Sequence, residues 1–347
     1  MLDYRDRRRL SELLRGHKPK IAEQVTAEFL ERHPEWTTRY GDTARLRGVE
    51  DACFHVDFLT GAIEAGAVAP FEDYVRWTVG MLGARGIAAD FIAENLVQIG
   101  RAADPLLDAA QRSVVGAVLA AGCAACGAPR PPEAERDSPL VLSRSLFVQA
   151  ILGAQRKAAL NVALESLRAG EDLLDVYVEV LQEGLYEIGR LWASNVITVA
   201  QEHMATAVAQ SVVSQIYAQL PAPTKQRGRV VITGVEGEQH QIGANMVADV
   251  LESRGYDVRF LGTQMPHAGI LDAVEAHHAD ILGVSATMLF NLPQVTRLLN
   301  SLRERFGDKA PRIILGGAAF RAAPGLAGEL GAVGWGRDLR EAVALAG

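Results

Sequence analysis

Hydrophobic residues in the first third of the chain recur at three- and four-residue steps, which is the period of an amphipathic helix. The steps are clearest over residues 49–63, 71–82 and 91–107. Residues 127–140 interrupt this period because they include four prolines and several charges, and proline cannot continue a helix. The pattern predicts an all-helical domain over residues 1–126, followed by an exposed linker.

The helical period resumes over residues 141–221, in segments 143–168, 171–193 and 196–220. Short connections between long amphipathic helices indicate antiparallel neighbours. The segments therefore predict a small helical bundle, which ends at the prolines after residue 220.

From residue 229 onward, short β-branched runs alternate with helical segments. Strands are predicted at 229–234, 257–261, 280–285, 312–315 and 332–333, and helices at 242–254, 268–277, 292–306 and 338–346. This alternation is typical of a parallel sheet covered by helices on both faces. The sequence thus predicts a multi-domain protein: an all-α sensor-like domain, a helical bundle, and a doubly wound, Rossmann-like α/β domain over residues 222–347.

Composition narrows the function classes. With 49% apolar and 22% charged residues, the chain has the composition of an ordinary folded protein. Charged or polar residues break its apolar runs well short of the roughly 18 residues of a membrane span. The first residues are too basic for a signal peptide. The net charge of -7 argues against nucleic acid as the main binding partner. We therefore expect a cytoplasmic protein without membrane or DNA partners.

Cys123 and Cys126 form a C-x-x-C motif, but only Cys53 could add a third sulfur, which argues against a zinc site.

Candidate chemistry lies in the loops that follow the predicted strands, where ligands of parallel sheets bind. His240 in the first loop could present an imidazole nitrogen to a metal, and Glu238 could fix its tautomer. Gly243 would permit close backbone approach, and Gly316 and Gly317 would leave a slot for a flat group. Each element alone is better explained by a surface histidine or by turn glycines, but their combination and order favour a site. A dinucleotide domain is disfavoured because the first turn lacks G-x-G-x-x-G.

The C-terminal third resembles the cobalamin-binding domain of methionine synthase and the corrinoid mutases, with the pattern Asp-x-His-x-x-Gly, Ser-x-(Leu or Thr) and Gly-Gly. The resemblance implies that His240 is the lower cobalt ligand and that Glu238, which replaces the usual aspartate, orients it. It also implies a groove for the displaced cofactor tail, lined by Gly243, Ser285, Thr287, Gly316 and Gly317.

Trp192, followed after nine residues by Glu202 and His203, resembles the signature of CarH-type adenosylcobalamin photoreceptors. The resemblance implies that the bundle caps the upper cobalt face and that adenosylcobalamin is the cofactor. Trp192 would stack on the adenosyl group, and Glu202 and His203 would hydrogen-bond its ribose or base. The alternative is that Trp192 belongs to the bundle core and that Glu202 and His203 form a solvated helix edge.

The N-terminal segments 51–59 and 71–77 resemble globin-like sensor domains. A globin-like domain ahead of a cobalamin module resembles the photocobilins, which pair cobalamin with biliverdin, and no recognition-helix pattern supports direct DNA binding. The candidate bilin contacts are His55, Tyr74, Arg76 and Trp77. Alternatives are ordinary helix-core aromatics or a haem on His55.

These resemblances predict a non-catalytic photoreceptor. Light would break the cobalt–carbon bond, and cap packing and quaternary structure would change, giving a light-dependent homo-oligomer that signals to an unknown protein partner. The main alternative is a corrinoid methyl-carrier protein of a methyltransferase system. A cobalamin-binding module without photochemistry is a third possibility.

Overall fold

The structure, a computed structural model, describes residues 2–128, 138–220 and 226–347. Contacts divide the chain into two compact units, Met1–Pro131 and Pro132–Gly347. Most of the predicted linker, residues 129–137, lies outside the described residues, as do residues 221–225, where the bundle was predicted to end.

The described part of the first unit is helical, as predicted. Its helices are α1 (Tyr4–Arg32), α2 (Pro34–Tyr40), α3 (Thr43–Ala65), α4 (Ala69–Gly83), α5 (Ala89–Ala103) and α6 (Ala109–Cys126). Asp3 caps the N-terminus of α1, and its carboxylate accepts the Asp6 backbone N–H at 2.8 Å. A left-handed Gly66 ends α3, and a capping box of Asp108 and Gln111 begins α6.

Helix α6 packs against α4 and α5. The approach is close, since a Cβ at Gly122 would lie 2.5 Å from the Phe71 ring. Among the described residues, α6 is the one helix long and apolar enough to cross a membrane, with a mean hydropathy of 1.4 over 18 residues. That is weak evidence for a span, because core helices of soluble proteins pass the same test.

The second unit begins with the helical bundle, formed by α7 (Val141–Leu152), α8 (Arg156–Arg168), the short α9 (Leu173–Asp175), a π-helical segment (Val176–Gln182), α10 (Glu183–Ala193) and α11 (Val199–Tyr217). The predicted single helix 143–168 is two helices, because the chain turns at Ala154, whose φ is +53°. Helix α11 begins three residues later than predicted, because Thr198 and Gln201 form a capping box.

A parallel sheet with the strand order β2-β1-β3-β4-β5 completes the second unit. The elements are β1 (Arg229–Gly234), α12 (Ile242–Ser253), β2 (Asp257–Phe260), α13 (His267–His277), β3 (Ile281–Ser285), α14 (Leu292–Phe306), β4 (Arg312–Gly316), α15 (Ala318–Ala322), α16 (Leu326–Glu329), β5 (Gly334–Gly336) and α17 (Leu339–Ala346). The last strand was predicted at 332–333, but it pairs with β4 two residues further on. The prediction of this strand from the apolar pair at 332–333 was therefore wrong by two residues.

One hydrophobic core joins the bundle to the sheet. Tyr177 and Val212 of the bundle share it with Ile232 of β1, Leu251 of α12 and Val343 of α17. Polar contacts reinforce the junction, because Arg340 of α17 pairs with Asp175 and Glu179 near the π-helical segment. The predicted multi-domain fold with a bundle and a Rossmann-like sheet is confirmed, and the bundle and the sheet form one compact unit.

Candidate functional site

The strand order places the candidate site at a switch point of the sheet. β1 lies between β2 and β3, so the chain leaves β1 and β3 towards opposite sides, and the loops at their carboxyl ends part to leave a crevice. Glu238 and His240 follow β1, and Thr287 follows β3. Predicted site residues that are far apart in the sequence therefore lie at the same edge of the sheet.

The histidine and the carboxylate are directly bonded. The Nδ1 of His240 donates to Oε1 of Glu238 at 2.6 Å, and the His240 backbone N–H donates to the same oxygen at 2.8 Å. The His240 side chain is 58% exposed, whereas the Glu238 side chain is fully buried. Because Nδ1 is held by the carboxylate, Nε2 is the nitrogen that can bind a metal.

The second oxygen of Glu238 bonds to the loop after β3. It accepts the Thr287 backbone N–H at 2.5 Å and the Asn291 side-chain amide at 3.2 Å. Burial alone would raise the pKa of Glu238, but the hydrogen bonds from His240 and Thr287 outweigh it and hold the pKa below its ordinary value. The carboxylate stays ionised and, as a pure acceptor, fixes the His240 tautomer.

Asn291 is a site residue that the sequence prediction missed. It is buried, and its Oδ1 lies close to Gly237, where an added Cβ would stand 2.9 Å from that oxygen. Gly237 has a φ of +88°, so glycine suits both the backbone and the space there. The available signal was an amide residue directly before the helix that begins at Leu292.

The glycines of the predicted tail groove differ in their surroundings. Gly317 has a φ of +102°, and a Cβ there would lie 2.2 Å from the Ala286 carbonyl oxygen. A Cβ at Gly316 or Gly243 would meet nothing within 4 Å. Gly317 therefore serves a close backbone approach, whereas Gly316 and Gly243 border open space, and the groove itself stays a prediction.

Two further predicted groove residues lie on and after β3. Ser285 ends this strand and pairs in register with Gly316 of β4. Thr287 enters the site through its backbone N–H to Glu238. Both residues therefore stand at the carboxyl edge of the sheet, as predicted.

The predicted cap residues lie at the junction of α10 and α11. Trp192 is half-buried and packs against the shared core. Glu202 accepts the Thr206 hydroxyl at 3.0 Å, and His203, 75% exposed, contacts Glu202 at 2.6 Å. This core packing of Trp192 is the alternative that the sequence left open.

Neighbouring charges act on the imidazole of His240. The hydrogen bond to Glu238 raises the pKa of His240 against the effect of burial, and the charges of Glu238 and Glu202 raise it further. Helix α11 contacts α12, the helix that begins directly after the histidine loop.

Two of the N-terminal candidates are in direct contact. His55 and Tyr74 are buried and hydrogen-bonded to each other at 2.8 Å, and Phe58 stacks on Tyr74 at 3.7 Å. Burial lowers the pKa of His55 to about 4, so this histidine is neutral at physiological pH. Arg76 instead pairs with neighbouring acids of its own helix, Glu72 and Asp73, and Trp77 is half-buried.

The cysteines give no support for a metal centre. Cys53, Cys123 and Cys126 are free thiols, and burial raises the pKa of each. Within the described ranges, no three histidine, cysteine or acidic residues are grouped so that they could hold a metal ion.

Comparison with known proteins indicates which class of cofactor the second unit binds. Residues 228–344 match a family model described as a B12 binding domain, and residues 145–217 match a second model with the same description. The second unit thus carries B12-binding domains, and its cofactor is a cobalamin or a related corrinoid. The exposed imidazole of His240, its buried carboxylate and the open glycine positions fit such a group.

Relatives point to corrinoid proteins. "Dimethylamine corrinoid protein 3" of Methanosarcina acetivorans is 27% identical over 198 residues, covering 57% of this chain and 92% of the relative. Methionine synthase of Mycobacterium tuberculosis is 27% identical over 177 residues, covering 50% of this chain and 15% of that protein. Among solved structures, the monomethylamine corrinoid protein of Methanosarcina barkeri covers 60% of this chain and 98% of its own, with a TM-score of 0.51 and 22% identity. That structural likeness shows a shared fold.

These findings correct the sequence interpretation. The assignment to CarH-type photoreceptors or photocobilins is wrong, because the matching proteins are corrinoid proteins and methionine synthase. The light-sensing function was inferred from that assignment and is therefore wrong as well. The motif of Trp192, Glu202 and His203 is short, and Trp192 lies on a bundle helix where a core tryptophan is ordinary.

Proposed function

We propose that this protein is a corrinoid methyl carrier of a methyltransferase system, and that it binds and presents the cofactor but is not itself a catalyst. The observation that carries the proposal is the His240–Glu238 pair, in a unit that matches B12 binding domains along both bundle and sheet. The methylamine-related names of several relatives support a carrier over a sensor.

The chain would hold the cofactor from below through His240. Glu238 keeps Nδ1 protonated and the ring oriented, which leaves Nε2 directed to the metal and raises its basicity. The tail would lie in the groove lined by Gly243, Ser285, Thr287, Gly316 and Gly317. When bound, the corrinoid supplies a cobalt centre that accepts and gives up a methyl group.

The bundle would cover the upper face. Trp192, Glu202 and His203, at the junction of α10 and α11, would exclude water from the cobalt. A carrier must expose that face to its partners, so the partner we propose is a methyltransferase. A methyl-bearing corrinoid replaces adenosylcobalamin as the proposed bound form, whereas biliverdin in the first unit and a cytoplasmic location remain predictions.

Loading the protein with defined cobalamins tests the proposal. We expect the chain to bind methylcobalamin at least as tightly as adenosylcobalamin, with the absorption spectrum of a histidine-ligated corrin. His240→Ala should give the spectrum of a corrin without its lower ligand. His278→Asn, which changes an exposed left-handed histidine of the same domain, should leave the spectrum unchanged.

Methyl transfer supplies the second readout. After reduction to the cob(I)alamin form and treatment with methyl iodide, the loaded protein should regain one methyl group per bound corrin. A clear preference for adenosylcobalamin, or an unchanged spectrum in the His240→Ala variant, would contradict the proposal.

A further inference from the structure

Burial is uneven along the bundle between residues 176 and 217. The π-helical segment buries five of its seven residues, namely Val176, Tyr177, Val178, Val180 and Leu181. Helix α11 buries six residues, the first of which is Ala205. Between these two stretches, residues 183–204 are all described, and three of them are buried: Gly184, Ile188 and Ile197. A weakly buried stretch between two well-buried ones is the kind of region that opens locally while the rest stays folded.

The π-helical segment is fixed to the sheet by buried and charged contacts. Tyr177 is fully buried and donates its hydroxyl to Asp249 of α12 at 2.8 Å. Arg340 of α17 pairs with Asp175 just before the segment and with Glu179 within it. The segment also belongs to the core that the bundle shares with the sheet. Departure of the whole bundle would expose this shared core to water, which is unfavourable.

Helix α10 has a different, exposed contact with the sheet domain. Arg321 of α15 donates to the Tyr186 hydroxyl at 3.3 Å, and its guanidinium lies 6.0 Å from the centroid of the Tyr186 ring. Arg321 stands four residues after Gly317, so the contact places α10 beside the loop that follows β4. Both side chains are exposed, and an exposed contact of this kind adds little stability. It therefore breaks far more readily than the buried contacts of the π-helical segment.

Both ends of α10 have the geometry of a hinge. At its N-terminal end, the π-helical segment interrupts the α-helical hydrogen-bond pattern, and helices bend at such interruptions. At its C-terminal end, the turn 194–198 contains Asn195 with a φ of +59°, and Val196 in this turn is 67% exposed. Hinges in proteins are a few residues at the ends of elements that absorb changes in φ and ψ. Helix α10 can therefore move while its neighbours keep their packing.

We propose that α10 is a lid at the carboxyl edge of the sheet, hinged at the π-helical segment and at the turn 194–198, with the Arg321–Tyr186 contact as its latch. Release of the latch lifts α10 together with Trp192, while the π-helical segment, α11 and α12 keep their shared core. The purpose of this motion rests on the proposed function, because a methyl carrier must uncover the upper cobalt face to its partner. The motion itself is a property of the chain without a cofactor.

Thiol labelling of the full-length protein without corrinoid measures the motion. In a background of Cys53→Ser, Cys123→Ser and Cys126→Ser, Ile188→Cys places a thiol on the buried face of α10, and Val178→Cys places one in the π-helical segment. Ile188 is 1% and Val178 0% exposed, so a maleimide reaches either thiol only after local opening. We expect position 188 to label at least about tenfold faster than position 178.

Two variants test the latch, since Tyr186→Phe removes its hydroxyl and Arg321→Gln removes its charge. Each should raise the labelling rate at position 188 about two- to fivefold, the range for the loss of an exposed polar contact, and leave the rate at position 178 unchanged. Arg305→Gln, which removes an exposed arginine of α14 from its pair with Asp272, is the matched control and should change neither rate.

Equal rates at positions 178 and 188, or a rise at both positions in the latch variants, would mean that the bundle opens as a whole and would overturn the lid. Unchanged labelling at position 188 in both variants would overturn the latch. Neither result depends on corrinoid binding, so both are distinguishable from a failure of the proposed function. Loading with methylcobalamin should slow labelling at position 188, and an unchanged rate in fully loaded protein would contradict a role of the lid over the cofactor.

Discussion

The buried carboxylate of Glu238 offers the sharpest test of the site. Glu238→Gln keeps the size of the side chain but replaces one acceptor oxygen by an NH₂ group. One oxygen of Glu238 serves the two donors of His240, and the other serves Thr287 and Asn291. In the variant, one pair of donors must therefore face another donor.

The magnitude follows from these contacts. Leaving a buried donor unsatisfied costs about 1–3 kcal/mol, so two donors cost about 2–6 kcal/mol. For a unit of this size, each kcal/mol lowers the melting temperature by about 2–4 °C. At the middle of that range, about 4 kcal/mol, we expect a loss of about 8–16 °C in the apo-protein.

The same change should weaken corrinoid binding by about 10–100-fold, because the carboxylate sets the tautomer and direction of His240. Thermal unfolding and spectroscopic titration with methylcobalamin measure the two effects separately. Glu236→Gln changes an exposed acid of the same loop and should alter neither. Glu238→Asp keeps the charge but is one methylene shorter, so it should fall between the wild type and Glu238→Gln.

A Glu238→Gln variant that melts within about 2 °C of the wild type would refute the reasoning about stability. A variant that is destabilised but binds methylcobalamin normally would refute the role in orienting His240. The two outcomes are independent, because one concerns the fold and the other the ligand.

Three further predictions follow from buried groups. The pKa of Asp249 is raised from 3.8 to about 6, so the folded state binds this proton more tightly than the unfolded state does. The free energy of unfolding should therefore fall as the pH rises from about 4 to about 6. In the Asp249→Asn variant, urea unfolding should no longer show that fall. The pKa of His55 is lowered from 6.5 to about 4, so stability should fall as the pH falls through this window, and His55→Gln should flatten the dependence. Gly317→Ala would place a Cβ 2.2 Å from the Ala286 carbonyl oxygen and should cost more than about 1 kcal/mol. Gly243→Ala meets open space and should cost nothing, so equal melting temperatures for the two glycine variants would contradict the close approach.

Much of the fold was readable from local pattern. The first strand and helix α14 lie where the periodicity placed them, because a buried strand and an amphipathic helix each repeat a pattern along the chain. The break at Ala154 and the two-residue shift of β5 escaped prediction. A left-handed alanine has no local signature, and a three-residue strand is placed by its partner β4 rather than by its own residues.

The site, like the fold, was predicted only where local sequence carries the signal. His240 and Glu238 could be named from the sequence, because a histidine and an acid two residues apart in one loop already suggest an oriented ligand. Asn291 could not, because its role depends on a contact across 53 residues of chain. The cap motif around Trp192 misled for a related reason, since a tryptophan at helical spacing suits a bundle core as well as a ligand.

The sequence by itself determined most of the elements of this protein, the order in which they occur and the loop that carries the candidate metal ligand. Tertiary structure alone decided that β1 lies between β2 and β3, that the bundle shares one core with the sheet, and that Tyr186 of α10 contacts Arg321 beside the loop that follows β4. Local periodicity reports which face of an element is buried. It does not report what that face is buried against, and ligand sites are made by the partners that meet.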